Sequence, residues 1–436
     1  MRAGLPRRTV VIPAVWADGP RIERVHPTPP SAAGPPAVDW AESGVVALTG
    51  HPDGPVLVPP GLAATRAREL TSWIAAVAGP AIAVDGARLL AERAAMNALR
   101  RRGPVSAGGH CRLLPTADGW AAVSCARPDD PLLLGALIGG TVDADDPWPA
   151  LADWVRGHRG AELAARADLL GVAAGPVLPR ERADSPAPWT PRPVEGLLVV
   201  DFSALWAGPL CAHLLGLAGA RVIKVETPGR PDGARRGNPA FYALLHHGHE
   251  SVVLDPTDPP GRRALHALVE AADIVIEASR PRALAGFGLD ADAAAARGAV
   301  WVSITAAGRQ SNRVGFGDDV AAAAGLVAYD DAGTPVFVGD AIADPLTGLT
   351  AAALAMSAPA DGSGMLWDIS MTEVVAATLT SDPVPRTLRR GETWFIDSDT
   401  GSIPVSEPTS RTPIGSAADS GADTARVLES LRIPVP

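Results

Sequence analysis

The sequence predicts an α/β protein: a doubly wound, mostly parallel sheet domain, Rossmann-like in its rhythm, with a smaller α+β domain beside it. Three observations carry that expectation. Residues 197–200 and 222–225 are continuous apolar runs, as strands buried on both faces require. Leucines at helical spacing (Leu210, Leu214, Leu217) separate the two runs behind a turn holding Ala207, Gly208 and Pro209, which reads as strand, helix, parallel strand. The rhythm then continues, with strands expected at 251–254, 274–277 and 300–304 and a helix at 261–271. In open α/β sheets ligands bind outside the carboxyl ends of the strands. The site is therefore expected to face the turn at 203–209. No GxGxxG follows the first strand, which argues against a dinucleotide.

At 436 residues the chain is long enough for two or three domains and a substantial core. Hydrophobic residues are 47% and charged residues 20%, the balance of a globular chain. A net charge of -10 argues against a nucleic-acid surface. Lys224 is the sole lysine, so the basic residues are arginines. Cys111, Cys125 and Cys211 have no metal or disulfide spacing, which implies a reducing cytosol and no metal. The opening stretch is too short and proline-broken for a signal peptide, and no run approaches the roughly 20 apolar residues of a membrane span.

Taken in order, residues 1–38 are expected to form an arm, with an edge strand at 9–15. Residues 39–178 read as the small α+β domain. Helices are expected at 62–77 and 87–101, the second ending in Arg100, Arg101 and Arg102, which would cap its carbonyls or bind an anion. Strands at 112–115 and 120–125 flank Asp118-Gly119, a hairpin turn. Three helical patterns follow at 132–138, 148–158 and 161–169, the second opened by Asp146 as N-cap before Pro147. His110 and Cys111 have no second ligand pair nearby. Residues 179–194 are a proline-rich linker, and 195–377 the α/β domain. Within it 320–327 reads as helical and 336–338 as a strand. Residues 378–418, rich in Ser, Thr and Pro, read as a surface connection, and 423–431 as a closing helix within a C-terminal region of 378–436.

Chemistry concentrates at 334–356, TPVFVGDAIADPLTGLTAAALAM. Asp344 before Pro345 suits an N-cap followed by the first helical residue. It also suits a catalytic carboxylate beside a glycine turn, where the Gly339 amide and its neighbours would stabilise an oxyanion.

Residues 194–375 resemble the family III CoA-transferases, the group of carnitine CoA-transferases and α-methylacyl-CoA racemases. The resemblance rests on VVDFSALWAGPLCAHLLGLAGARVIKVETPG, HESVVLDPTDPPGRRAL, ADIVIEASRPRALAGFGLD, VWVSITAAG, IADPLTGLTAAALA and GSGMLWDISMTE, in that order. It implies that Asp344 is a nucleophile forming an aspartyl-CoA thioester, and that CoA moves between an acyl-CoA and a small carboxylic acid. It further implies CoA against Leu205, Trp206 and Ala207 and near Arg280, with coenzyme A as substrate and an interlocked homodimer, with a related second chain as the variant.

Several departures bear on that reading. HHGHES stands at 246–251 where the family often has NRxKRS, ASRPR replaces NFRPG, and Gly286 replaces a common arginine. CoA phosphates would then rely on Arg230, Arg235, Arg236 and Arg282, unless these belong to a solvated loop. The racemases' histidine position falls at Asp318, followed by Asp319, which ranks racemisation below transfer; His246, His247 and His249 read as loop residues. Residues 85–178 resemble a part that follows the α/β domain in the family, so the order looks permuted. A non-catalytic CoA-binding partner subunit is the reading from another class.

Overall fold

The computed structural model describes residues 22–23, 35–79, 82–178, 190–279, 281–358, 363–399 and 401–436. The strand expected at 9–15 lies outside them. Before the sheet come helix α1 (Ala63–Ala78), the short α2 (Glu92–Met96), the hairpin β1 (Cys111–Thr116) and β2 (Gly119–Ser124), and helices α3 (Asp130–Ile138), α4 (Trp148–Arg156) and α5 (Gly160–Leu170). β3 (Ala174–Pro176) then pairs antiparallel with β2. The α/β part follows as β4 (Leu198–Asp201), α6 (Ala207–Leu217), β5 (Arg221–Glu226), α7 (Pro239–His246), β6 (Glu250–Val253), α8 (Pro259–Ala271), β7 (Ile274–Glu277) and β8 (Val300–Thr305). It ends with α9 (Gly317–Ala323), the ribbon β9 (Val327–Tyr329) and β10 (Pro335–Phe337), α10 (Ala343–Ala355) and β11 (Met365–Ser370).

The main sheet runs β6-β5-β4-β7-β8-β11, every pair parallel, with Ile22–Glu23 added beside β11. Numbered within the sheet domain this is the doubly wound order 3-2-1-4-5-6. The order reverses between β4 and β7, so their carboxyl ends open the crevice that the sequence pattern anticipates. Both faces are covered because side chains alternate along each strand. Val199, Ile274, Ile276, Val300 and Val302 join one apolar cluster, while Val200, Val275 and Trp301 join the other. The outer strand is shielded: the Ser251 amide donates to Asp423 Oδ2 at 2.8 Å and the Val253 amide to Thr424 Oγ1 at 3.1 Å. Those bonds satisfy edge donors that would otherwise invite another strand.

Several expectations need correction. The 39–178 region is divided by its packing. Trp40, Leu70, Leu90 and Ala94 lie in the same apolar cluster as Leu210, Ile276 and Leu349 of the sheet domain, whereas Leu114, Leu134, Leu151 and Leu163 form a separate cluster. The small unit is thus built from 111–178. The helix expected at 87–101 breaks into Gly86–Leu89 and α2. Arg101 lies beyond both, and its Nε donates to the His51 carbonyl at 2.8 Å, so it caps a neighbouring turn rather than its own helix. Helix α4 is N-capped by Pro147, not Asp146. Residues 320–327 split between α9 and β9, and the strand expected at 336–338 pairs with β9 outside the main sheet. The connection at 378–418 contains a three-stranded antiparallel sheet, Thr387–Arg390, Thr393–Ser398 and Gly401–Pro404.

Helix α10 packs along α6 through Gly348, and Gly208 in turn lets the start of α6 lie against the Ser203 turn. A Cβ on Gly348 would lie 2.6 Å from the Ala207 carbonyl oxygen, and one on Gly208 would lie 2.1 Å from the Ser203 Cβ. The first of these is backbone and has no rotamer by which to yield. Gly348→Ala is therefore expected to lower stability by about 1–3 kcal/mol through overpacking, read as a lower denaturant midpoint at unchanged slope.

Candidate active site

The turn after β4 is shaped by buried charge. Asp201 Oδ1 accepts from the Ser203 amide at 2.8 Å and from its hydroxyl. Lys224, at 2% exposure, donates to the Ser203 carbonyl. Its Nζ stands 3.0 Å from Asp232 Oδ2 and 3.7 Å from Asp201 Oδ2. Burial works against the ammonium, but the two carboxylates outweigh it and hold the Lys224 pKa above the usual lysine value. Asp232 in turn accepts from the Leu205 amide at 3.0 Å. Leu205 is thereby fixed at φ +70, a conformation uncommon for a residue with a Cβ, and its side chain remains 44% exposed.

Of the residues expected to meet CoA, Leu205 is thus presented to solvent, while Trp206 and Ala207 are buried at the start of α6. Arg235 is taken up by Glu226, Nη2 to Oε2 at 2.6 Å, and stacks over Tyr242. Arg236 is exposed nearby. Arg282 bonds to Asn312 and, with Arg230, Ser279 and Leu169, lines a cleft of about 700 Å³ at the carboxyl end of β7. Arg280 lies outside the described residues. Asp344 is not among the residues lining that cleft.

Asp344 is the second residue of α10, whose N-cap is Ile342. The N-cap reading of Asp344 is thus replaced: its carboxylate caps nothing, and among the described residues no group donates a hydrogen bond to it. Ala341, at φ +44, turns the chain into this position. The Ala341 amide donates to Asp318 Oδ1 at 2.8 Å, and Asp344 Oδ2 lies so close to Gly317 that a Cβ there would meet it at 2.3 Å. Asp319 accepts from Ser124 Oγ at 2.9 Å and from the Phe316 amide at 2.8 Å. Arg93 forks onto the fully buried Asp340, Nε to Oδ2 at 2.9 Å and Nη2 to Oδ1 at 2.6 Å, and lies over the Trp206 ring. Gly339 has φ +66, and its amide donates to Thr49 Oγ1 at 3.2 Å.

Burial is the main reason that Asp344 rises to about 7; Arg93 opposes the rise, and Asp318 and Asp340 add to it. Asp318 also rises to about 7, through burial and then Asp340, and Asp319 to about 6 through burial. An unbonded carboxylate with a raised pKa, set between an arginine and further carboxyls, is an arrangement suited to nucleophilic or proton-transfer chemistry. Asp340 and Arg93 were missed by the sequence reading, since they lie 247 positions apart. Of the three histidines at 246–249, His247 and His249 lie between α7 and β6 as expected for loop residues, and His246 does not. His246 closes α7 and is buried, as is His249, with burial holding the first well below its ordinary pKa and the second down to about 3. Among the described residues no group of three or more His, Cys, Asp or Glu is placed to hold a metal ion, and no helix is long and apolar enough to cross a membrane.

A carboxyl whose pKa is higher in the folded than in the unfolded chain withdraws stability as pH rises between the two values. Asp344→Asn removes that penalty. The melting temperature of the variant relative to the parent is expected to be higher at pH 8 than at pH 5, by roughly 2–5 °C, as followed by thermal unfolding.

Residues 194–394 match the family described as CoA-transferase family III. The chain is similar to "Succinyl-CoA--D-citramalate CoA-transferase" of Chloroflexus aurantiacus, 31% identical over 210 residues, covering 44% of this chain and 52% of that protein. It is 33% identical over 175 residues to "Succinyl-CoA:glutarate CoA-transferase" of Homo sapiens, covering 37% and 40%. The chain thus spans about half or less of the length of these relatives. Among solved structures, a CAIB/BAIF family protein from Brucella suis aligns with a TM-score of 0.43 at 26% identity, covering 48% of this chain and 66% of that one.

Proposed function

We propose that this chain, which matches CoA-transferase family III over residues 194–394, moves CoA from an acyl-CoA to a carboxylic acid through Asp344. The observation that carries the reading is the Asp344 carboxylate itself, half-buried beside Arg93 and, among the described residues, without a hydrogen-bond donor. The fully buried carboxylates of Asp340, Asp319 and Asp201, by contrast, are each hydrogen-bonded.

The ionised Asp344 attacks the donor thioester carbonyl; the C–S bond breaks, giving a mixed anhydride and CoA thiolate. The thiolate then attacks the aspartyl carbonyl, releasing the donor acid and leaving an aspartyl-CoA thioester. An acceptor carboxylate attacks that thioester, and the returning thiolate takes the acceptor acyl group and restores Asp344. Each addition places charge on a carbonyl oxygen, which needs a donor in place. The Gly339 amide would have to exchange Thr49 for that oxygen to serve. The exposed Leu205, buried Trp206 and Ala207 at the turn, and the cleft holding Arg230 and Arg282, support CoA binding along the crevice. Arg236 is free to join them, whereas Arg235 is bound to Glu226. The same reading takes the chain to be cytosolic and dimeric, with the small α+β unit permuted to a place before the sheet.

Incubation with a panel of acyl-CoAs, followed by intact and peptide mass spectrometry, tests the reading. A CoA-sized adduct on the peptide holding Asp344, absent in Asp344→Ala, is the expected result. No adduct and no CoA binding would favour a non-catalytic partner subunit. Because only the ionised form attacks, turnover is expected to rise about tenfold per pH unit below 7 and level off above it.

A second reading has one observation in its favour. Asp318 occupies the neighbouring position with a pKa raised to the same value of about 7, so the two carboxyls could pass a proton between faces of an acyl α-carbon. Exchange of that hydrogen with deuterium from solvent, without acyl transfer, would select it.

A further inference from the structure

Arginines of this chain hold carboxylates by one edge. Arg68, Arg93, Arg221, Arg235 and Arg411 each set Nε and Nη2 against the carboxylate of a single acidic residue, the planar fork that such a pairing uses. Arg313, in the loop between β8 and α9, turns the same edge inward and has nothing to hold with it. Its Nε and Nη2 are both buried and, among the described residues, neither has a hydrogen-bond partner. Buried, unpaired N–H groups on a fixed charge are costly, and an acceptor from outside the chain would satisfy them. The side chain keeps 14% exposure, which leaves a way in.

The surroundings suit an incoming carboxylate. Asp319 faces the guanidinium, but its Oδ2 stands 3.9 Å from Nη2, beyond hydrogen-bond range, and also lacks a hydrogen-bond partner. Asp319 is held back because its Oδ1 is engaged by Ser124 Oγ at 2.9 Å and by the Phe316 amide at 2.8 Å. Gly175 of β3 lies on the guanidinium, where a Cβ would come within 3.3 Å of Nη2, so a larger side chain would crowd an edge that glycine leaves clear. Asn312, the preceding residue, lines the cleft of about 700 Å³. Gly317, four residues on, packs against Asp344 Oδ2. Four residues of chain reach at most about 14 Å, so the empty edge belongs to the same end of the molecule as the cleft and Asp344.

We infer that the Nε and Nη2 edge of Arg313 is a binding site for the carboxylate of a small organic acid, taken up in bidentate geometry. The site stands on Arg313 itself; naming its occupant as the acid substrate rests on the transferase reading. Phosphate is the other anion that an arginine fork takes. Its second negative charge would meet Asp319 Oδ2 at close range, so the singly charged carboxylate is the better fit.

The test titrates butyrate, its uncharged isostere butyramide and inorganic phosphate calorimetrically into the full chain. Butyrate is expected to bind about tenfold tighter than butyramide or more, and tighter than phosphate. In Arg313→Gln the preference for butyrate over the amide is expected to vanish, with circular dichroism establishing that the variant is folded. If that variant fails to fold, Arg313→Lys takes its place: it keeps the charge, loses the fork, and is expected to weaken butyrate by about tenfold. No binding of butyrate by the parent, equal binding of the amide, or tighter binding of phosphate overturns the site. A preference that survives Arg313→Gln, or an affinity unchanged in Arg313→Lys, overturns it as well. The CoA adduct on Asp344 is read in separate samples without butyrate. If butyrate binds at Arg313 and no adduct forms, the site stands and only the naming of its occupant as a substrate falls.

Discussion

A buried ammonium bonded to a main-chain carbonyl is where the functional end of this molecule begins. Lys224 sits at the end of one sheet strand and reaches across to the Ser203 carbonyl at the end of the next. Asp201 and Asp232 hold it ionised, and Asp232 passes the constraint on to the Leu205 amide. Three segments are tied by one charge: the turn after β4, the end of β5, and the loop carrying Asp232. Removing one partner of such a group leaves an uncompensated buried charge, which is why the arrangement is rigid. The positive φ of Leu205 is held by this network and not by local preference.

The second half of the site comes from both sides of the chain. Arg93 lies in a helix that precedes the sheet, and Asp340 in the turn after β10, yet they meet at bidentate distances. The contact is possible because residues 35–100 contribute to the same core as the sheet, so α2 is held over Trp206 as a built-in part of the domain. Close helix packing at Gly348 then brings the first turn of α10, and with it Asp344, beside the start of α6.

Much of the fold was legible because buried parallel strands announce themselves. The runs at 197–200, 222–225, 274–277 and 300–304 each became a strand within a residue or so, since nothing but an apolar run fits a strand covered on both faces. The hairpin at 111–124 was equally clear from Asp118-Gly119. What failed was nonlocal. The small sheet at 387–404 is short and half-exposed, so it carries no apolar run, and the antiparallel pairing of the buried β9 and β10 is decided by neighbours. The early segment at 35–100 looked like part of a separate unit because helical periodicity reports that a face is buried, not against what. At the site, Asp344 was visible as an acidic residue before a small-residue helix, although as a cap it was misread. Asp340 beside it drew no distinction from sequence, because its meaning depends on Arg93, and no spacing rule links residues so far apart.

Since Lys224 is the sole lysine and is sealed at 2% exposure, the folded surface presents no ε-amine. Its arginine side chains carry guanidinium charge that stays protonated at any pH the fold tolerates. Solubility and long-range attraction of anions are therefore nearly independent of alkaline pH. Amine-directed acylation, whether by a reagent or by a stray reactive thioester, finds no surface lysine to modify. Reaction at Lys224 instead marks molecules in which the carboxyl edge of the sheet has opened.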